Sequence, residues 1–86
     1  MLTKTDFPET HVVLGGAALV LRNPRAAEKA FREAVRQDPQ FADAWRMVVR
    51  IRAALGDREG ATKAADDAVK LNPNNEMLQS IRKQLD

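Results

Sequence analysis

Residues 21–40 read LRNPRAAEKAFREAVRQDPQ, and residues 55–74 read LGDREGATKAADDAVKLNPN. Laid over one another at a shift of 34 positions without a gap, the two blocks agree at seven places. The pairs are Leu21 with Leu55, Ala27 with Ala61, Lys29 with Lys63, Ala30 with Ala64, Ala34 with Ala68, Val35 with Val69 and Pro39 with Pro73. A fixed offset of this size marks a repeat architecture, in which a single unit cannot bury its own apolar face and must stack on a neighbour.

Helix punctuation follows the same register. Asn23-Pro24, Asp38-Pro39 and Asn72-Pro73 each set a capping side chain before a proline suited to the first helical position. Gly56-Asp57 reads as a stop followed by a cap, and Asp6 with Glu9 is spaced as a capping box. The spacing predicts five helices, over 7–21, 24–37, 39–55, 58–71 and 73–85. Connections this short force successive helices to pack antiparallel, and no stretch alternates with the period of a strand.

On these residues the chain resembles the tetratricopeptide repeat, a 34-residue helix–turn–helix unit. In residues 8–41 the matching positions are Leu14, Gly15, Ala27, Phe31, Ala34 and Pro39. In residues 42–75 they are Trp45, Ala61, Ala68 and Pro73, with Val48 standing in for a leucine. The resemblance implies an all-α fold of antiparallel helix pairs stacked as a short right-handed superhelix. It divides the chain into an extension (1–7), two repeats (8–41 and 42–75) and a C-terminal capping helix (76–86). Gly15, Ala27 and Ala34 are expected to let helices approach while Phe31 fills the space beside them. The second repeat has Val49 for Gly15 and Ala65 for Phe31, a swap that conserves volume, and Trp45 is expected in the core. Arg52 takes a tyrosine-like position and is expected to lay its methylenes on the helix and reach water.

Composition narrows function. The 86 residues carry 14 Lys plus Arg against 12 Asp plus Glu, a net charge of +2, with mixed signs on the second and fourth helices. That is no nucleic-acid stripe, and only four aromatic residues are present to stack on bases. Cysteine is absent and His11 is the only histidine, so no metal constellation, cofactor motif or thiol nucleophile is expected. Asp66 and Asp67 point about 100° apart on a helix, and Gly15-Gly16 is not followed by the lysine of a phosphate loop. Catalysis is not expected. The longest apolar run, residues 12–21, is too short to span a membrane, and Asp6 and Glu9 precede it where a signal peptide would be basic. A soluble protein, cytoplasmic by default, is the expectation.

The resemblance implies a non-catalytic module binding a peptide or protein segment in a concave groove lined by the first helix of each repeat. In this register the groove residues are Glu9, Val12, Val13, Gly16, Leu19 and Val20, then Asp43, Arg46, Met47, Arg50, Ala53 and Ala54. One wall is aliphatic. The other offers Arg46 and Arg50, an i,i+4 pair able to fork onto a carboxylate of an acidic segment or chain terminus. Val12, Gly16 and Met47 stand where family members that clamp heat-shock-protein tails use Lys and Asn, so that clamp is absent. The alternative is a structural or oligomerisation segment of a larger protein, for example a periplasmic one, whose activity lies elsewhere. Two repeats are fewer than the roughly three usually needed for stability, which implies self-association through the first helix or a further domain upstream.

Overall fold

A computed structural model describes residues 6–85. The parts of the expected N-terminal extension at residues 1–5, Leu2 included, and the last residue lie outside this range. Five helices follow one another: α1 (Pro8–Val20), α2 (Pro24–Gln37), α3 (Ala42–Ala54), α4 (Arg58–Leu71) and α5 (Glu76–Gln84). No strand occurs among the described residues. Each helix touches the next, and α3 also touches α5, giving a helical solenoid with extents of 48 × 30 × 16 Å.

The core is built largely from alanine and valine. Ala27, Phe31, Ala34 and Val35 of α2 meet Ala44, Trp45, Val48, Val49 and Ile51 of α3, with Ala61, Ala64, Ala65, Ala68 and Leu78 completing the cluster. No charged or polar residue is fully buried among the described residues. Small side chains bring helix axes close, so the close approach itself supplies the dispersion contacts that large side chains would otherwise provide. Gly15 shows the limit of this economy. A Cβ there would stand 2.6 Å from the Phe31 ring, so only glycine admits that ring. The expected core role of Trp45 holds: the indole is 8 % exposed and its Nε1 donates to the Pro39 carbonyl at 2.8 Å.

Helices α2 and α4 span the expected residues, with Asn23 accepting from Ala26 N and Asp57 from Gly60 N as caps. Helices α3 and α5 start later than expected. Asp38-Pro39 and Asn72-Pro73 do not open helices. Each proline is the second residue of a tight turn closed by Phe41 N–H to the Asp38 carbonyl (3.0 Å) or Asn75 N–H to the Asn72 carbonyl (3.1 Å). Asp38 Oδ1 accepts from Gln40 N, which secures the first turn, and Asn75 then caps α5 through Leu78 N. The Asp6–Glu9 capping box does not form either. The residue preceding α1 is Phe7, which makes no side-chain cap, and the Asp6 carboxylate is used elsewhere.

The two repeats end their first helices alike. Asn23 N–H donates to the Ala18 carbonyl and Asp57 N–H to the Arg52 carbonyl, at 2.8 and 2.9 Å, across a residue in the left-handed region. That residue is Gly56 (φ 82°) in the second repeat and Arg22 (φ 59°) in the first.

Candidate functional site

The expected groove residues occupy different environments. From α1, Glu9 and Val13 are exposed, Val13 to 70 %, while Val12, Gly16 and Leu19 are half-buried. From α3, Asp43 and Arg50 are exposed, and Arg46 and Met47 are half-buried. Val12, Leu19 and Met47 lean against the core. Arg46 and Arg50 are brought together with Val49 and Ala53 of the same helix and with Ile81, Gln84 and Leu85 at the end of the chain, around a recess of about 460 Å³. Glu9, Val12, Val13, Gly16, Leu19, Asp43 and Met47 do not line it.

Arg46 has an unusual feature. Its Nε is buried and has no hydrogen-bond partner. A buried donor left unsatisfied costs about 1–3 kcal/mol, so such atoms are rare and each calls for an acceptor. The apolar residues from α5 escaped the sequence reading of this recess. Met77, Leu78, Ile81 and Leu85 show one amphipathic stripe, and nothing in that stripe distinguishes the side chains facing α4 from those at its edge, facing α3.

Arg52 departs from expectation. Its head does not reach for water. Nε donates to Glu28 Oε1 at 3.0 Å and a terminal nitrogen donates to the Gly60 carbonyl at 3.0 Å, with only 20 % of the side chain exposed. One guanidinium therefore ties α2 to both helices of the second repeat. A second link runs from Asn72 Nδ2 to the Pro39 carbonyl at 2.8 Å, joining the end of α4 to the turn before α3.

A third cluster lies at the start of the chain. Ligand atoms of Asp6, His11 and Glu33 all fall within 4.8 Å of one another, which the expectation of no metal-type constellation did not foresee. Its parts come from the start of the chain, α1 and α2, so no local spacing advertises it. Both carboxylates are already engaged by side chains of the protein. Arg36 grips both oxygens of Glu33, His11 Nε2 bonds Asp6 Oδ1, and Gln37 Nε2 donates to Asp6 Oδ2 (3.1 Å) and Glu33 Oε1 (3.3 Å). The Arg36 bonds hold the Glu33 carboxyl at about 2, well below its ordinary 4.5, and the His11 bond, followed by that of Gln37, lowers Asp6. The group acts as a latch fastening residue 6 to the first helix pair. His11 is partly buried, as its place in the helix pair implies.

Asp66 pairs with Arg82, and Asp67 lies 3.7 Å from Lys63. No helix among the described residues is long and apolar enough to cross a membrane. A family model described as tetratricopeptide repeat matches residues 12–76, three-quarters of the chain. Comparison with curated proteins returns no match.

Proposed function

The chain belongs to the tetratricopeptide repeat family, whose members are generally protein-interaction modules and typically non-catalytic, and on that premise we propose that it binds a peptide or protein segment in a concave groove. The segment carries an apolar anchor and a carboxylate, and it lies along the first helices of two repeats (8–41 and 42–75) and the closing helix (76–86). The observation that carries this reading is the recess beside α5. Aliphatic walls from Val49, Ala53, Ile81 and Leu85 stand beside two arginines, one of which holds a buried donor without an acceptor. A carboxylate arriving there meets guanidinium groups whose planar forks suit bidentate contact. Aliphatic groups beside it leave water, at roughly 25 cal/mol per Å² of apolar surface.

The test is a binding isotherm for peptides with an aliphatic residue followed by a free C-terminal carboxylate, each against its C-terminal amide. The free acid binds wild type more tightly than the amide. The Arg46→Glu/Arg50→Glu double variant loses that preference while keeping its helical content. Equal binding of acid and amide to both proteins removes the carboxylate reading and leaves the fold untouched.

The alternative, a structural or self-associating segment, draws on one observation: Val13 and Val20 stand 70 % and 83 % exposed on α1. Sedimentation equilibrium separates the two readings, because an apolar helix used for self-association gives a concentration-dependent mass that Val13→Asp abolishes.

A further inference from the structure

We infer that the open face of the first helix pair, on a different surface from the groove, is a docking site for an amphipathic α-helix of a partner protein whose apolar stripe is flanked by carboxylates. The face is a recess of about 600 Å³ with a floor of Leu14, Ala18 and Ala30. Leu14 is 54 % exposed there, whereas Val48, its counterpart 34 residues on, is 1 % exposed. Ala30 is half-buried, and its counterpart Ala64 is 2 % exposed.

The chain itself shows what kind of object covers such a face. In the second repeat the neighbour is α2, a helix with one apolar side, which lies against α3 and sends Glu28 to Arg52. His11, Leu14 and Ala18 recur at spacings of three and four along α1, and Ala26 and Ala30 at four along α2. Two such rows form the ridges between which a helix packs. From Val12 onward α1 carries no charge at all, the pattern of a helix covered on more than one side.

Two differences between the faces define the occupant. Where the second repeat has Arg52 the first has Ala18, so the floor accepts a bulky apolar side chain and needs no acid at that point. The rim carries Lys29, Arg32 and Arg36 against Glu33, which Arg36 already grips, and Asp6, which His11 holds at the edge. Arg32 is 57 % exposed and only 3.7 Å from Glu28, an acid that Arg52 also engages. Lys29, together with Arg32, which shares Glu28 with Arg52, is the charge offered to a partner, and both favour carboxylates. They also disfavour a second copy of this chain, because a two-fold pairing of this face sets two net-positive rims together.

The test uses two covalently helix-locked peptides with the same leucine stripe, one flanked by glutamates and one by lysines, titrated by fluorescence anisotropy. The glutamate peptide binds about tenfold or more tightly than the lysine peptide. Leu14→Asp, at a position already half-exposed, keeps the melting curve and weakens that binding about tenfold to a hundredfold. Lys29→Glu/Arg32→Glu reverses the preference between the peptides. Arg46→Glu/Arg50→Glu, on the groove surface, leaves unchanged the binding that Leu14→Asp weakens, so this site and the groove fail or stand separately. Equal binding of the two peptides, insensitivity to Leu14→Asp, or loss through the groove variant overturns the inference. So does a dimer in sedimentation that Leu14→Asp dissolves, since the face then belongs to a second copy.

Discussion

Helices α1 and α3 have the same length and the same place in their repeats, yet α3 buries five residues and α1 buries only Gly15. The apolar content runs the other way. Helix α1 has VVLGGAALV over residues 12–20, while α3 carries Arg46, Arg50 and Arg52. Burial here follows neighbours rather than hydrophobicity: α3 lies between α2, α4 and α5, and α1 is principally packed on α2. In a stacked array stability resides in the interfaces between units, so a helix packed on one neighbour keeps its shape while leaving much of its apolar surface in water.

The comparison breaks most visibly at Trp45 and its counterpart His11. Trp45→Ala removes a buried indole and its bond to the Pro39 carbonyl, and it is expected to cost about 3–5 kcal/mol. His11→Ala is expected to cost about 1 kcal/mol, a loss of one partly exposed hydrogen bond. Urea denaturation of the two variants measures the gap, and equal losses would mean that both repeats share one interior.

A subtler asymmetry lies in how each repeat fills the space between its helices. The first uses Gly15 against Phe31, and the second has Val49 and Ala65, both buried, at the matching positions. Gly15→Ala drives a methyl group into the Phe31 ring and is expected to cost about 1–3 kcal/mol. Combining Gly15→Val with Phe31→Ala copies the second repeat. The double variant should be more stable than the two single changes sum to, by about 1 kcal/mol or more. Strict additivity in a double-mutant cycle would show that the two solutions are not interchangeable.

The smallest effect sharpens the comparison in the favourable direction. Arg22 adopts the left-handed conformation that Gly56 adopts in the second repeat, at a cost only a residue with a Cβ bears. Arg22→Gly is expected to stabilise the protein by about 1 kcal/mol, read as a higher melting temperature. A lower one would mean that the Arg22 side chain contributes more than its backbone strain costs.

Much of this was legible in the residues alone. The 34-residue offset, the five helices and the bounds of α2 and α4 follow from local signals: small residues at fixed spacing, capping side chains, and connections too short for anything but antiparallel packing. The places of Trp45 in the core and of His11 in its helix pair follow from register. Tertiary structure decided the rest, each time because the deciding partner is remote in sequence. Asp-Pro and Asn-Pro serve equally as a helix start or as a tight turn. At Pro39 the turn's carbonyl receives both Trp45 and Asn72. Arg52 pairs rather than reaching water because Glu28 waits on a helix that the chain folds back against it. Arg46 and Arg50 gain apolar company only when α5 crosses beside α3. Leu14, whose counterpart in the second repeat is buried, lies half in water because no helix among the described residues does for it what α2 does for Val48.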